Sequence, residues 1–291
     1  MSGFAFSLII AASFIHAGWN YLSKQSGGGI VFLWLASFFT TLIYAPLVAF
    51  TLLSQTTKIG GKELALMAVS ALIHTLYSVI LQTGYRIADL SLVYPLARGT
   101  GPALSTLGAV ILFRERPSLI ALSGLALVVI GIFIIAGGPR HSEDQIHDPA
   151  RRRRGSIYGL LTGACIAAYT LWDKHAVAVA MIPPLLLDYS SQLMRLVLLS
   201  PQALPNRLEI RREWAEHRRQ ILGVAVLNPL SFILVLTAMV VTPVIYVAPM
   251  RELSVLIGVA FGSKLLGEGQ SARRFFASAI MLLGILALAA G

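Results

Sequence analysis

Ten apolar stretches, each close to the length of a membrane-spanning helix, follow one another along the 291 residues. A helix needs about 20 mostly apolar residues to cross the hydrocarbon core of a bilayer. The predicted spans are 3–23, 30–53, 63–85, 89–113, 118–138, 156–176, 183–203, 220–240, 243–266 and 274–291. Residues 205–219 form a sizeable polar loop in which we expect a short surface helix. The pattern therefore predicts an all-α integral membrane protein.

The chain also repeats itself at a constant offset of 153 residues. At this offset Trp19 aligns with Trp172, Arg98 with Arg251, Glu115 with Glu268, Ser118 with Ser271, and Asn20 with the similar Asp173. Since each half has an odd number of spans, the second half must lie inverted in the membrane. Inverted repeats are typical of transporters with a site at the repeat interface. We therefore predict two five-helix repeats, 1–138 and 156–291, around a central cavity, with 139–155 as a basic linker.

Composition agrees with a membrane protein, since 56% of the residues are hydrophobic and only 12% are charged. Soluble domains carry about twice that charged fraction. The net charge of +10 raises the question of nucleic acid binding. The basic residues, including the run 151–154, lie mostly in short loops beside apolar spans, where they are better explained as topology signals. We therefore expect the lipid bilayer and a small-molecule solute as partners, and no nucleic acid.

The distribution of basic residues bears on orientation. The loops after spans 1, 3, 5, 7 and 9 hold more arginine and lysine than the others, and the positive-inside rule places the richer set in the cytoplasm. Both termini would then face outward.

Several motifs carry a family resemblance that covers essentially the whole chain. They are His16-Ala17-Gly18-Trp19-Asn20, the segment from Tyr94 to Gly99, Arg114-Glu115-Arg116, and in the second half Trp172-Asp173-Lys174, Pro249-Met250-Arg251-Glu252, Gly267-Glu268 and Gly284. The sequence resembles the EamA branch of the drug/metabolite transporter superfamily. The resemblance implies a ten-helix inner (plasma) membrane carrier with a central cavity that moves amino acids, sugars or other metabolites, usually outward. It also implies cytoplasmic termini, against the charge distribution, so orientation stays open.

Two arginines lie deep in predicted spans, where each ionisable group costs roughly 2.5–3.5 kcal/mol. Arg98 and Arg251 occupy equivalent positions, and each follows a proline, Pro95 or Pro249. Proline frees a backbone carbonyl and interrupts helices, and broken helices beside a cavity are common in carriers. The guanidinium groups could bind a carboxylate or phosphate. The alternative is an internal ion pair, for example of Arg251 with Asp188 or Glu252. We expect Arg98→Gln to abolish transport in a folded protein.

Further polar side chains share faces of the first and third spans. His16 and Asn20 are four residues apart, and His74 and Tyr77 lie on a comparable face. The predicted substrate-binding residues are Arg98, Arg251, His16, Asn20, Trp19, His74, Tyr77 and Tyr94. The alternatives are interhelical hydrogen bonds for the histidines and interface anchoring for the tryptophan.

Carboxylates in the second half are candidates for proton coupling. Asp188 begins a polar face with Gln192 and Arg195, and Glu252 follows Arg251 directly. We predict Glu252 and Asp188 as proton-coupling residues. Glu115 and Glu268, at span ends, are expected to be structural.

The leading function is a secondary transporter of small anionic or zwitterionic metabolites, an exporter driven by proton exchange. Alternatives are a cationic drug efflux pump, which two buried arginines disfavour, and a membrane enzyme or lipid-handling protein, for which no metal or catalytic signature is present. We expect no cofactor, metal or catalytic residue. Small residues repeat along span 6 at Gly155, Gly159 and Gly163, and we expect contacts within the bundle there, with the protein a monomer or weak homodimer.

Overall fold

The structure is a computed structural model, and it describes residues 2–26, 29–54, 59–88, 90–136, 149–257 and 272–291. The regular structure in these ranges is helical. The helices are α1 (Gly3–Gln25), α2 (Ile30–Leu53), α3 (Gly61–Ile87), α4 (Leu90–Leu112), α5 (Leu119–Ala136), α6 (Pro149–Ala178), α7 (Pro184–Ala203), α8 (Arg207–Val241), α9 (Val244–Met250) and α10 (Ala272–Ala290). No strand occurs within these ranges, which confirms the all-α class. The predicted count of ten spans stays a prediction.

The outer surface of the bundle is apolar. Large side chains such as Phe50, Leu72, Leu119 and Phe276 are more than half exposed, an arrangement that water would oppose and lipid tails favour. Among the described helices, four are long and apolar enough to cross a membrane, over Gly3–Ser23, Ile30–Leu53, Gly61–Leu81 and Arg207–Val241. Shorter apolar stretches occupy Leu119–Ile134 and Phe276–Ala290.

The loop predicted at residues 205–219 contains the expected helix, joined to the following span. Residues from Arg207 onward are helical, and a kink at His217, where φ is −124° and ψ is 17°, separates this segment from the rest of α8. Most of its basic side chains are exposed. Trp214 fixes the segment to the bundle by stacking on Phe39 of α2, with ring centroids 4.7 Å apart.

Several helix pairs within the described residues run antiparallel, among them α2–α7, α4–α9 and α5–α10. Between α2 and α7, Trp34 donates to the hydroxyl of Ser200 over 2.9 Å, and the Tyr189 hydroxyl donates to the carbonyl of Thr41 over 3.3 Å. Residue numbers therefore increase along one helix as they decrease along the other.

The pairs α4–α9 and α5–α10 are also antiparallel. Along α4, Arg98 meets Glu252 just beyond α9, whereas Ala109 packs against Val244 at the start of α9. Between α5 and α10, Gly124 lies against Gly284 and Leu288, while Gly131 lies against Ala277 and Met281. A Cβ atom at either Gly124 or Gly284 would overlap the backbone of the other helix, so these glycines allow the close approach.

The small-residue face of α6 packs inside the bundle. Gly155, Gly159 and Gly163 each lie against α4, where Leu92, Leu96 and Thr100 would meet any added side chain. This is the contact within the bundle that the spacing predicted. Residues 258–271, which include Glu268 and Ser271, lie outside the described part of the chain.

Candidate functional site

A small cavity lies where α1, α4, α8 and the segment after α9 meet. It is lined by Ala12, Ser13, His16, Arg98, Val235, Arg251 and Ser254, and the space between these residues, about 230 Å³, is partly open to solvent. The cavity thus brings together three of the predicted binding residues, His16, Arg98 and Arg251, from three separate parts of the chain.

Arg98 is held by an ion pair. Its Nη1 donates to Oε1 of Glu252 over 3.3 Å, and Glu252 is almost fully buried. The guanidinium carbon lies 5.7 Å from the centre of the Tyr94 ring, within range of a cation–π interaction. The other carboxylate oxygen of Glu252, Oε2, is buried without a hydrogen bond. Tyr94 and Glu252, both predicted at the site, therefore surround Arg98, and Glu252 retains capacity to accept a hydrogen bond.

Arg251 lies at an interruption in its helix. The α-helix α9 ends at Met250, and helical structure resumes at Leu253. The amide of Glu252 bonds the carbonyl of Pro249, three residues earlier, because the tighter turn replaces the α-helical pattern. The interruption predicted beside this arginine is therefore present, whereas α4 stays helical past Arg98.

The Arg251 side chain contacts aromatic rings rather than a carboxylate. Its guanidinium carbon lies 6.0 Å from the centre of the Tyr169 ring and 5.9 Å from that of Phe232. In the part of the chain that the structure describes, it has neither an ion pair nor a side-chain hydrogen bond. Neither of the ion pairs considered for Arg251, with Asp188 or with Glu252, is formed among the described residues. Glu252 pairs with Arg98 instead.

A second polar cluster lies between α3 and α6. Nε2 of His74 is 2.9 Å from Oδ2 of Asp173, and the Ser70 hydroxyl donates to Oδ1 of the same carboxylate over 2.6 Å. Asp173 is fully buried. The His74 ring stacks on Tyr169 at 4.2 Å, and Tyr77 meets Tyr169 edge-on at 5.6 Å. Two predicted residues, His74 and Tyr77, thus belong to this cluster, one aromatic layer away from the cavity.

The role of Asp173 was not predicted from the sequence. An aspartate inside an apolar span is itself a signal, but Asp173 lies near the end of α6 and its partners lie 99 and 103 residues away in the chain. Their identity depends on which face of α3 packs against α6. No spacing within one helix could have shown it.

Three other predicted residues do not line the cavity. Asn20 is exposed and donates to the backbone carbonyl of His16, one turn earlier on α1. Trp19 lies edge-on to His16 at 4.8 Å, but its ring packs in an apolar cluster with α2 and its Nε1 is buried without a hydrogen bond. Asp188 is buried on α7, where the neighbouring Gln192 accepts a hydrogen bond from Arg195.

The turn between α8 and α9 is fixed by two charged side chains. Both oxygens of Glu115 accept hydrogen bonds from backbone amides at the start of α9, from Val244 over 2.9 Å and Ile245 over 3.0 Å. Lys174 donates to carbonyls at the end of α8, including that of Thr242 over 3.1 Å. An anion at a helix N-terminus and a cation at a C-terminus are both favourable. The structural role expected for Glu115 is therefore that of a helix cap.

Within the described residues, no three His, Cys, Asp or Glu side chains are grouped to hold a metal ion. Ser78, a conceivable nucleophile beside His74, donates its hydroxyl proton to the backbone carbonyl of His74.

Comparison with known proteins gives a match of the second half of the chain to one family model and a likeness in fold. Residues 153–290 match the model of the EamA-like transporter family, as the resemblance predicted. A solved crystal structure superposes on the chain with a TM-score of 0.72, covering 98% of both chains at 14% sequence identity, a likeness that shows the fold alone. No curated protein matches the chain significantly.

Proposed function

We propose, from the membership of residues 153–290 in the EamA-like transporter family, that this multi-pass membrane protein is a secondary transporter of small anionic or zwitterionic metabolites such as amino acids. It works by proton-coupled alternating access and exports its solute across the inner (plasma) membrane. The observation that carries the solute class is a cavity where Arg251 has no ion-pair partner among the described residues and lies next to Glu252, of which one carboxylate oxygen has no hydrogen bond among them.

The proposed architecture is ten helices in two inverted repeats. In such an arrangement, each helix of the first repeat runs opposite to its equivalent in the second. The antiparallel pairs α2–α7, α4–α9 and α5–α10 each join helices five apart in chain order, as this requires. The contacts α1–α8 and α3–α6 are also related by the 153-residue offset. The helix directions thus support inversion independently of the sequence matches.

The charges around the cavity favour a solute that carries a carboxylate. Arg251 presents a guanidinium fork to the cavity with no acidic partner among the described residues, and carboxylates bind this fork in two parallel hydrogen bonds. Arg98 already forms an ion pair with Glu252. Arg251 is therefore the better anchor for an incoming anion.

Glu252 completes a site for a zwitterion. Its Oε2 is buried and accepts no hydrogen bond, which is costly unless a donor arrives. The ammonium group of an amino acid, bound by its carboxylate to Arg251, would supply that donor next to the anchor. An amino acid therefore satisfies both groups at once.

Proton coupling was assigned from sequence to Glu252 and Asp188. Glu252 lies beside the cavity, where its Oε2 is placed to accept the hydrogen bond of a solute ammonium. Asp188 lies on α7 with Arg195 and Gln192, away from the lining residues.

A reconstituted transport assay tests the proposal. Proteoliposomes are offered an amino acid, the corresponding amine without the carboxylate, and the corresponding keto acid without the amine, at matched concentrations. We expect amino acids to move best. Arg251→Gln should weaken the apparent affinity by about 10- to 100-fold, because a hydrogen bond to a charged group contributes about 1.5–3 kcal/mol.

Arg212→Gln is the matched control, since Arg212 forms an exposed surface pair with Glu216 and should leave transport unchanged. The proposal is contradicted if the amine or a lipophilic cation is transported and the amino acid is not. That result would favour the alternative of a cationic drug efflux pump.

A further inference from the structure

We infer that the His74–Asp173 pair between α3 and α6 is the site that carries the coupling proton, in place of the carboxylates assigned from sequence. The inference rests on the proposed transport function and adds the location of the ion that drives it. The site would take one proton on the His74 ring.

The pair is not needed for helix packing. The 153-residue offset relates the α3–α6 contact to the α1–α8 contact, where Asn20 stands for Asp173, Leu227 for His74 and Gly223 for Ser70. That interface packs with apolar and small residues: Gly18 lies against Leu227, and Gly223 against Leu22. A buried charged pair is at best a weak source of stability. An ionisable cluster present in one of two equivalent interfaces therefore needs a functional reason.

The tautomer of His74 is an assignment that follows from the charge given to Asp173. With Asp173 assigned as an ionised carboxylate, which can only accept, His74 Nε2 at 2.9 Å carries the hydrogen of the pair and donates it. Ser70 donates to the other oxygen and fixes the carboxylate in place. Nδ1 then holds the lone pair of the neutral ring. No hydrogen bond to Nδ1 occurs within the described residues, and 11% of the side chain stays exposed. Histidine is also the side chain that ordinarily changes charge between pH 5 and 8.

Two aromatic rings connect this site to the cavity. Tyr169 stacks on His74 at 4.2 Å and lies under Arg251, whose guanidinium carbon is 6.0 Å from the ring centre. Phe232 likewise contacts both, edge-on to His74 at 5.2 Å and 5.9 Å from Arg251. A change of charge on His74 alters the electrostatics of the same two rings that hold Arg251. Proton and solute sites are therefore in physical contact through one layer of side chains.

Other charged and titratable groups surround the pair. They are Tyr77 on α3, Tyr94 and Arg98 on α4, Tyr169 and Lys174 on α6, Asp188 and Arg195 on α7, and Arg251 after α9. Arg98 is paired with Glu252, Lys174 with backbone carbonyls, and Arg195 with Gln192 on α7 beside Asp188. Within the described residues, Asp173 is the charged side chain in direct contact with the imidazole, on which the Tyr169 ring also stacks.

The test separates driven transport from exchange. Proteoliposomes with solute on both sides report solute–solute exchange at equal pH, and a gradient of one pH unit reports uphill movement. For one proton per solute this gradient supports about tenfold accumulation. We expect the His74→Gln and Asp173→Asn variants to keep solute–solute exchange but to lose accumulation, so that the ratio of solute concentrations on the two sides of the membrane stays near one. Thr83→Val, which alters an exposed hydroxyl on α3, should keep both.

A second measurement does not depend on transport. Between pH 8 and pH 5 the solubilised His74→Gln variant should take up about one proton fewer than the wild type. Accumulation that persists in His74→Gln overturns the inference, and so does loss of exchange in a folded variant or an unchanged proton uptake. A wild type that exchanges solute but ignores the pH gradient also overturns it and leaves the proposed solute transport standing. A wild type that moves no solute refutes the proposed function, and this inference with it.

Discussion

Removal of the Arg98 side chain should destabilise the protein, whereas removal of Arg251 should not. Oε1 of Glu252 accepts its hydrogen bond from Arg98, and Oε2 accepts none. Arg98→Gln therefore leaves a buried carboxylate without its ion-pair partner, with only the electrostatic attraction of the more distant Arg251 remaining. Arg251 has no ion pair among the described residues, so its loss strands no anion. The sequence-based expectation that Arg98→Gln leaves a stably folded protein is revised by this contact.

The size of the effect follows from the geometry of the pair. Breaking a buried ion pair by removing one partner costs about 3–5 kcal/mol. A single contact of 3.3 Å and a side chain that is 14% exposed place Arg98 at the lower end, about 3 kcal/mol. At about 2–4 °C per kcal/mol, the midpoint of thermal unfolding should fall by roughly 6–12 °C. Arg98→Gln combined with Glu252→Gln removes both charges and should recover most of this loss.

Thermal unfolding in detergent measures the effect in the wild type, Arg98→Gln, the double variant and Arg251→Gln. Arg251→Gln is the matched control, because it removes the same type of side chain from the same cavity. We expect it to unfold within about 4 °C of the wild type, since a partly exposed cation–π contact contributes about 0.5–1 kcal/mol. Equal losses in the two arginine variants, or a double variant as unstable as Arg98→Gln, would refute the reasoning.

Two further predictions concern stability. Glu115→Gln should lower the unfolding midpoint by the equivalent of about 1–2 kcal/mol, because the charged cap of α9 is weakened. Glu63→Gln, at an exposed cap, should have a smaller effect, because Glu115 is half-buried and bonds two amides. Equal effects of the two substitutions would contradict this explanation. Trp172→Phe should cost about 1 kcal/mol, since Trp172 donates to the carbonyl of Leu66 over 2.9 Å. Trp19→Phe removes a donor that has no partner and should be nearly neutral in the same assay; a larger loss for Trp19→Phe would refute this comparison.

The helices were predictable from sequence because lipid imposes a length on them. Apolar stretches of about 20 residues can be recognised without knowledge of packing, and α2, predicted as 30–53, has those bounds. Polar flanks were less predictable. α6 begins at Pro149, before the predicted span, and α8 begins at Arg207. Charged residues such as those at 151–154 form helix readily once an adjacent span has nucleated it.

The candidate site was predictable only in part. Arg98, Arg251 and His16 could be found because ionisable groups inside apolar spans need a reason to be there. Their partners could not be found. Glu252 lies beside Arg251 in sequence but pairs with Arg98 from the other half, because the two segments run antiparallel through the same region. Asn20 shares a face with His16 but ends in a hydrogen bond to its own helix, a local option open to any asparagine.

The two halves differ at the positions where their charges matter most. On the proposed repeats, both arginines are present, at Arg98 and Arg251, whereas Glu252 corresponds to Gly99 and Asp173 to Asn20. The cations are therefore shared by symmetry, but the buried acids near the cavity belong to the second half. Two inverted repeats can exchange conformations with little change in packing, because each repeat adopts the conformation that the other repeat gives up. On the proposed function, the acids stay with one repeat, so that the electrostatic environment of the solute would differ between the two conformations. This difference would allow a proton gradient to bias an exchange between otherwise equivalent repeats.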